Sequence, residues 1–332
     1  MQSIFYERAS DPAHALRLAQ QPGSKFIGGG TNLLDLMKGG VEQPMRLVDI
    51  THVGLALVSE LPDGGLRIGA LTRNSDLADH ALIRQRYPLL SQALLSGASP
   101  QLRNMATVGG NLMQRTRCPY FTDTGFDMCN KRMPGSGCAA REGYSRTHAI
   151  LGASNACIAV NPSDMNVALA ALDAVVLISG PQGERRIALA DFHRLPGNTP
   201  QQDTVLAPGE LITAVDLPPS PFAAHSHYLK VRDRASYAFA LVSVAAALEM
   251  RNGVISQARI VLGGVAHKPW RVPAAETMLA GQPFSRELAR QAAARAIAGA
   301  QAYKDNQFKI ELAQRAIVSA MASALHNAGE NA

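Results

Sequence analysis

Four cysteines, Cys118, Cys129, Cys138 and Cys157, lie within one short stretch of this 332-residue chain, and the rest of the chain contains none. Thiols that cluster in this way usually serve one purpose, such as a metal site or a set of disulfides. The spacing, C-x10-C-x8-C-x18-C, differs from the C-x2-C pairs of zinc ribbons and from the closely spaced cysteines of ferredoxins. A four-thiolate metal site is therefore the first hypothesis, and the spacing leaves the metal open.

Two other interpretations of the cysteines stay open at this point: two disulfides, or four unrelated free thiols. Disulfides are most needed in small secreted domains that cannot build a core, and this chain is far longer than that. The opening sequence MQSIFYERASDPAHA lacks the basic start and the apolar run of a signal peptide, so we expect no export signal in it. Seven Lys or Arg and three acidic residues lie between residues 99 and 148. Such basic groups lower thiol pKa values, although a solvated basic loop would have the same composition.

The composition and the residue pattern argue against a membrane span and against nucleic-acid binding. The longest apolar run, AFALVSVAAAL at residues 238–248, is shorter than the roughly 20 residues that a membrane span needs. Aromatic residues make up 5% of the chain, and the net charge of +6 forms no basic stripe with interleaved aromatics. We therefore expect neither a membrane span nor a nucleic-acid partner.

The hydrophobic pattern predicts an α+β chain with a break at Pro218-Pro219-Ser220-Pro221. Before the break, residues 1–52 read as a small α/β unit, and Asp63-Gly64-Gly65 predicts a hairpin. After the break, strands surround a second hairpin turn at Asn252-Gly253. The helices predicted from apolar spacing include those near residues 75–80, 88–96, 164–172, 285–303 and 307–326.

A glycine-rich turn in KFIGGGTNLLDL is the first stretch that suggests a ligand. A strand enters Gly28-Gly29-Gly30 and leaves into a helix that Thr31-Asn32 can cap. Glycines let the backbone approach a ligand closely, and a helix start offers free N–H groups to phosphate oxygens. The pattern matches neither G-x-G-x-x-G nor a P-loop, so a tight turn without a ligand is the alternative.

Two further stretches add to this signal. ATVGGNLM at residues 106–113 is a second glycine turn, with Thr107 and Asn111 able to bond a polar ligand. In NPSD at residues 161–164, taken in isolation, the pattern favours Ser163 or Asp164 as a helix N-cap over a ligand contact. We find no nucleophile and base at a recognisable spacing, and the histidines lie in scattered contexts. The two glycine turns could face one extended dinucleotide. Together with a thiolate cluster and the lack of acid–base groups, they indicate electron transfer.

Taken together with GELI at residues 209–212 and KVRDRASYAFALVSVAAAL at residues 230–248, these stretches resemble the FAD-binding subunit of the xanthine dehydrogenase family of molybdenum hydroxylases. The resemblance covers nearly the whole chain. RTRCPYF, CNKR and PGSGCAA in the cysteine stretch narrow it to the FAD subunits of bacterial periplasmic aldehyde oxidoreductases, which carry an additional 4Fe-4S cluster.

This resemblance implies an α+β fold with two domains. A PCMH-like FAD-binding domain would occupy residues 1–219, with α/β subdomains at about 1–52 and 53–219 and the flavin between them. An iron–sulfur loop would lie at about 114–160 within it. A smaller domain with a three-stranded sheet and helices would follow at residues 222–328.

The resemblance also implies the site residues. The residues expected around the FAD pyrophosphate are Phe26, Ile27, Gly28, Gly29, Gly30, Thr31, Asn32, Leu33 and Leu34. The other expected FAD contacts are Thr107, Gly110 and Asn111 in the second glycine turn, Asp164 at the sugar-alcohol chain, Ile212 beside the isoalloxazine ring, and Lys230 at the domain junction. The four cysteines would ligate the 4Fe-4S cluster, and the candidates for tuning it are Arg117, Lys131 and Arg132. Because the cysteine stretch lies between two expected flavin contacts, the cluster is expected near FAD.

The family implies partners as well. A large subunit with a molybdenum cofactor would oxidise an aldehyde to a carboxylic acid, and a small subunit with two 2Fe-2S clusters would pass electrons to this chain in a heterotrimer. FAD would deliver them to an external acceptor. The rival hypotheses are a nucleotide-binding module with a structural zinc at the four cysteines, and a flavin oxidase that acts alone. The family favours the periplasm, reached by export with a signal-bearing partner, whereas the missing signal favours the cytoplasm.

Overall fold

The structure is a computed structural model that describes residues 3–326. Its strands are β1 (Phe5–Arg8), β2 (Ser24–Ile27), β3 (Arg46–Asp49), β4 (Val58–Glu60), β5 (Leu66–Gly69), β6 (Val175–Gly180), β7 (Gly183–Ala188), β8 (Leu211–Leu217), β9 (Ser226–Val231), β10 (Val242–Arg251), β11 (Val254–Gly263) and β12 (Trp270–Arg271). Its α-helices are α1 (Pro12–Ala19), α2 (Leu33–Lys38), α3 (Asn74–Asp79), α4 (Ala81–Arg86), α5 (Pro88–Ser96), α6 (Pro100–Arg103), α7 (Val108–Leu112), α8 (Pro119–Thr122), α9 (Asp164–Ala171), α10 (Leu189–Phe192), α11 (Pro273–Thr277), α12 (Arg286–Ala296) and α13 (Phe308–His326).

The N-terminal unit is a parallel three-stranded sheet in the order β1-β3-β2. Parallel neighbours need crossover connections, and α1 and α2 supply them. Asp11 caps α1 by accepting a hydrogen bond from the backbone N–H of His14 at 2.8 Å, and Pro12 takes the first helical position. The predicted cap is therefore confirmed.

A five-stranded antiparallel sheet in the order β4-β5-β8-β6-β7 carries the largest core. The hairpin predicted at residues 63–65 joins β4 to β5. Helices α5 and α9 bury Leu90, Leu94 and Leu169 in the same cluster as Val176 and Val215 of the sheet. This core continues into the third sheet, so the two parts of the chain are packed directly together.

The C-terminal part is an antiparallel sheet in the order β12-β11-β10-β9. Helices α11 and α13 pack on this sheet, and α12 packs on both of these helices. Asn252 and Gly253 both have positive φ, at 50° and 80°, which is the requirement of a two-residue hairpin turn. The predicted hairpin is therefore confirmed. Buried alanines such as Ala292 of α12 and Ala316 of α13 belong to the core of this part, and their small side chains allow close packing of the helices.

The α+β class predicted from sequence is confirmed, with local differences. The two-residue strand β12 adds a fourth strand to the predicted three-stranded sheet. Helix α12 ends at Ala296, before Gly299 takes φ +82°, so it is shorter than predicted. Helix α4 was not predicted, and Pro88 separates it from α5. Among residues 3–326, no helix is both long and apolar enough to cross a bilayer.

The cysteine stretch runs between α7 and α9, with little regular structure of its own, and is packed against the C-terminal part. The backbone N–H of Ser145 donates to the Asp305 carboxylate at 3.0 Å, and that of Ile150 donates to the carbonyl of Val265 at 3.0 Å. The loop therefore bridges both parts of the chain. The predicted boundaries, 1–219 and 222–328, stay a prediction, and residues 1, 2, 327 and 328 lie outside the described residues.

Candidate functional site

The four cysteines converge on one cavity. Cys118, Cys129, Cys138 and Cys157 all line it, together with apolar side chains that include Phe121. All four are free thiols, so the disulfide interpretation is not realised here. Cys118 immediately precedes α8, and Cys129 faces Cys138 across an isolated antiparallel bridge. Chain segments that are distant in sequence thus bring the thiols together, as the clustering hypothesis requires.

The surroundings shift the pKa values of three of the thiols, and not all in the same direction. Burial raises the pKa of Cys118 to about 12. A hydrogen bond between the Cys138 and Cys157 thiols lowers the pKa of Cys138 to about 6 and raises that of Cys157. A metal deprotonates the thiols that coordinate it. Most of the thiolate charge in this cavity would therefore appear only when a metal binds. Among the described residues, no group of three or more Cys, His, Asp or Glu is arranged around a single metal ion, so the zinc alternative gains no support.

A network of charges, of which Lys131 is buried and the others are half-buried, holds the cysteine loop in place. Arg115, near the start of the loop, pairs with Asp203 at 2.8 Å and with Glu42 at 2.9 Å. Lys131 is buried and forms an ion pair with the same Asp203, and it also donates to the carbonyl of Pro200 at 2.7 Å. Burial opposes ionisation of Asp203, but Lys131 and Arg115 overcome it and lower its pKa. The network therefore joins the loop to the N-terminal unit and to the segment before β8.

The other two basic residues proposed to tune a cluster also have oxygen partners. Arg132 donates to the backbone carbonyls of Tyr120 at 2.9 Å and Asp123 at 2.7 Å, which closes the loop on itself. Arg117 donates to the side-chain oxygen of Asn32 in the first glycine turn. Through Arg117, the residue next to Cys118, the cysteine loop is bonded directly to the predicted phosphate-binding turn.

His148 is the residue beside the thiols that the sequence reasoning passed over. Its Nε2 lies 3.1 Å from the sulfur of Cys118, and its side chain is buried. Burial first, and then the charge of Lys309, lower its pKa to about 4, so the ring is neutral at neutral pH. Its position between the third and fourth cysteines was the one available sequence signal.

The first glycine turn leaves a row of donors available. Phe26 and Ile27 lie in β2, Gly28 to Asn32 form the turn, and Leu33 and Leu34 begin α2. The backbone N–H groups of residues 28–33 donate to no other residue in the described part of the chain, although the turn is half-buried. Asn32 occupies the N-cap position without capping, because its side chain is bonded to Arg117. Such a row of N–H groups suits phosphate oxygens.

The second glycine turn is packed directly on the first. A Cβ atom on Gly29 would lie 1.7 Å from the carbonyl oxygen of Met105, so glycine is required at this close approach. Thr107 caps α7 by accepting from the N–H of Gly110 at 3.2 Å. Asn111 then accepts a hydrogen bond from the Ser163 hydroxyl at 2.7 Å. The two glycine turns and the NPSD segment are thus one contiguous surface.

Asp164 lies beside this surface at the junction with the C-terminal part. The cap of α9 is Ser163, which accepts from the N–H of Asn166 at 3.0 Å, so Asp164 is free of the capping role. Its carboxylate accepts hydrogen bonds from the Tyr228 hydroxyl at 2.7 Å and from Lys230 Nζ at 2.7 Å. Lys230 also donates to the carbonyl of Ser96 at 3.0 Å. Asp164 and Lys230 therefore meet, as the prediction of a shared site requires.

Ile212 is the predicted contact that stands apart from these hydrogen-bonded groups. It lies in β8, is paired with Ile178 of β6, and is 5% exposed within the core of the five-stranded sheet. The neighbouring Thr213 carbonyl accepts from the N–H of Ala70, whose own carbonyl accepts from Gly109 in the second glycine turn. Ile212 is thus one strand removed from that turn, and its predicted role beside a ring system stays a prediction.

Comparison with known proteins gives two family matches that together span nearly the whole chain. Residues 2–220 match the family described as the FAD binding domain in molybdopterin dehydrogenase. Residues 227–327 match the CO dehydrogenase flavoprotein C-terminal domain.

Individual proteins are similar over the same length. The aldehyde oxidoreductase FAD-binding subunit PaoB of Escherichia coli is 54% identical over 98% of this chain and 99% of its own. The glyceraldehyde dehydrogenase medium chain of Sulfolobus acidocaldarius is 26% identical over 87% of this chain and 85% of its own. Among solved structures, carbon monoxide dehydrogenase from Hydrogenophaga pseudoflava superposes with a TM-score of 0.76 at 25% identity, covering 98% of both chains.

Proposed function

This chain belongs to the family of FAD-binding subunits of the molybdenum hydroxylases, and we propose that it is the FAD- and 4Fe-4S-containing electron-transfer subunit of an aldehyde oxidoreductase complex. In this complex it passes electrons from a partner iron–sulfur subunit to an external acceptor. The convergence of all four cysteines on one cavity, in a loop bonded to the first glycine turn, is the observation that carries the proposal.

The flavin contacts in this proposal are the predicted ones. The free N–H groups of residues 28–33 would bind the pyrophosphate of FAD, with Phe26, Ile27 and Leu34 at the margins of the turn. Thr107, Gly110 and Asn111 would hold the cofactor from the second turn, Asp164 and Lys230 from the domain junction, and Ile212 from the sheet. The hydrogen bonds that join these segments support a single binding surface.

The cluster ligands in this proposal are Cys118, Cys129, Cys138 and Cys157. Arg117, near the start of the cysteine loop, contacts Asn32 of the first glycine turn. The hydrogen bond between Asn111 and Ser163 joins the two ends of the loop beside the second glycine turn, and both contacts support a cluster close to the flavin. When bound, FAD can accept one or two electrons and an iron–sulfur cluster one at a time. This chain's own residues would hold and insulate these groups.

The proposed assembly is a heterotrimer. A large subunit with the molybdenum cofactor would oxidise the aldehyde to a carboxylic acid, and a small subunit with two 2Fe-2S clusters would relay the electrons. The aldehyde oxidoreductase relative, which is named as an FAD-binding subunit, supports both the substrate class and the subunit role. We propose a periplasmic location, reached by export with a signal-bearing partner.

Metal and sulfide analysis of the full-length chain, purified anaerobically with its bound flavin, tests this function. We expect FAD, about four iron and about four acid-labile sulfide per chain, with no stoichiometric zinc, because four thiolates are the ligand set of a 4Fe-4S cluster. One zinc per chain without iron would establish the zinc alternative. Aldehyde oxidation by the chain alone would instead establish the independent oxidase.

Replacing Gly29 with Ala is expected to weaken FAD binding by at least roughly tenfold, because the added methyl group would push the two glycine turns apart. The matched control is Gly39→Ala at the end of α2, where a Cβ atom would be 3.4 Å from its nearest neighbour and φ is already −77°. The measurement is a titration of the deflavinated proteins with FAD, followed by flavin fluorescence. Equal affinities of the two variants would contradict the proposed role of the turn.

A further inference from the structure

His148 occupies a position from which it can act on the predicted cluster through one of its ligands. Its Nε2 is 3.1 Å from the sulfur of Cys118, within hydrogen-bond distance, and the whole residue is 1% exposed. The basic residues that the sequence suggested for tuning, Arg117, Lys131 and Arg132, donate to oxygen atoms instead. Backbone N–H groups, such as those of Tyr120 and Phe121 at Cys118, also face the thiols. Among the described residues, His148 is the side chain outside the four cysteines that makes a hydrogen-bond contact with one of their sulfurs.

The C-terminal part of the chain holds His148 in this position. The backbone carbonyl of His148 accepts hydrogen bonds from Lys309 Nζ at 2.8 Å and from the Asn306 side-chain amide at 3.2 Å. Its backbone N–H donates to the carbonyl of Ser145 at 2.9 Å, and Ser145 is itself bonded to Asp305. Lys309 in the first turn of α13, and Asp305 and Asn306 just before it, thus fix the backbone that carries the imidazole facing Cys118.

The chemistry of the contact decides which atom carries the hydrogen. A cysteine that ligates a metal is a thiolate and can only accept a hydrogen bond. The imidazole nitrogen facing it must then be the donor, which places the hydrogen of the neutral ring on Nε2 and leaves Nδ1 as an acceptor. By hydrogen-bond geometry Nδ1 has no partner among the described residues, although the backbone carbonyl of Ser145 is close enough to raise the pKa of the ring.

We propose that His148 donates an N–H···S hydrogen bond to the Cys118 thiolate and thereby raises the reduction potential of the 4Fe-4S cluster. The inference rests on the proposed function. Reduction adds one negative charge to the cluster, and part of that charge resides on the ligand sulfurs. A hydrogen bond to a ligand sulfur stabilises the more negative state, so it favours reduction. His148 is a positioning residue in this scheme, because it acts through Cys118.

Replacing His148 with Leu and with Gln separates the donor from the volume of the ring. Leu removes the donor, whereas Gln can place an amide N–H near the position of Nε2. We expect the one-electron reduction equilibrium of the cluster to be about tenfold less favourable in His148→Leu, which corresponds to about 59 mV, and close to wild type in His148→Gln. The measurement is a redox titration of the complete complex followed by electron paramagnetic resonance, with iron and FAD determined on each sample.

His193→Leu is the matched control, because His193 is also a buried imidazole but contacts the Leu112 carbonyl and Asn166. Its cluster potential should equal that of wild type. If His148→Leu does not retain the cluster, His148→Asn takes its place, since its shorter amide does not reach the position of Nε2.

Two results would refute the tuning role of His148, and a third would refute the proposed function on which it rests. An unchanged potential in a donor-free variant that retains its iron would refute the tuning role. Loss of iron from both the Leu and Gln variants, with FAD retained, would make His148 a structural requirement of the cluster and also refute the tuning role. Wild-type protein without iron would instead refute the proposed function, so the two failures are distinguishable.

Discussion

Replacing Cys129 with Ser is expected to remove nearly all iron and acid-labile sulfide from the protein while most of the FAD stays bound. Cys129 is 8% exposed, lines the cavity with the other three cysteines, and packs against Leu36 and Phe121. Iron–sulfur clusters select soft thiolate ligands, and a serine hydroxyl at this place is neither soft nor ionised at neutral pH. The proposed FAD contacts lie on other segments, so they should survive the change. Iron, sulfide and FAD determined per chain provide the measurement.

The control for this change is Met133→Ser, which alters an exposed side chain in the same loop and should leave iron, sulfide and FAD at wild-type levels. Unchanged iron in Cys129→Ser would defeat the assignment of the cluster to these cysteines. Parallel loss of FAD and iron would show that the cysteine loop is needed for flavin binding as well. Serine at Cys118, Cys138 or Cys157 should reproduce the Cys129 result, because the four thiols form one ligand set.

Local sequence signals predicted the parts of the fold that depend on local conformation. Asn252-Gly253 and Asp63-Gly64-Gly65 give hairpins because their backbones reach turn conformations without steric cost. Asp11-Pro12 starts a helix because the carboxylate accepts an orphan N–H and proline needs no partner. The turn at Gly28–Gly30 was likewise visible in the sequence.

The sequence could not show where a residue would bond to a tertiary partner and not to a local one. Asn32 looked like a helix cap, but a guanidinium from the cysteine loop binds its side chain. Helix α4, from Ala81 to Arg86, was missed because it is short and begins after His80, which is not one of the usual capping residues. Strand β12 was missed because a two-residue strand exists only through its pairing with β11. For Asn32 the deciding partner lies in the cysteine loop, and for β12 it lies in a neighbouring strand, so neither partner shows in the local sequence.

For the candidate site too, some features could be predicted from the sequence and others depend on tertiary contacts. The clustering of the cysteines in sequence predicted a shared purpose, but their spacing could not predict a common cavity, since a long loop can fold in many ways. His148 has no motif around it, and its importance arises only from its 3.1 Å approach to Cys118. The basic residues of the loop were visible as a charge excess, whereas their engagement with Asp203, Asn32 and backbone carbonyls depends on tertiary contacts.

Replacing Asp164 with Ala is expected to have the largest effect on both stability and flavin binding. Asp164 and Lys230 form a buried ion pair, with side chains 8% and 4% exposed, and Tyr228 donates to the same carboxylate. Removing one partner leaves a buried charge uncompensated, which typically costs about 3–5 kcal/mol of unfolding free energy. If Asp164 also binds FAD, the affinity should fall by roughly tenfold or more, the value of a charge-assisted hydrogen bond. Chemical denaturation and FAD titration measure the two effects separately.

The double variant Asp164→Leu with Lys230→Met distinguishes the two roles of Asp164. Two apolar side chains can replace a buried ion pair with little net cost, so the double variant should regain much of the unfolding free energy that Asp164→Ala loses. It should not regain FAD affinity, because neither replacement can bond a hydroxyl or a ring oxygen of the cofactor. Recovery of both properties would mean that Asp164 and Lys230 only join the two parts of the chain, and the proposed flavin contacts at the junction would be wrong.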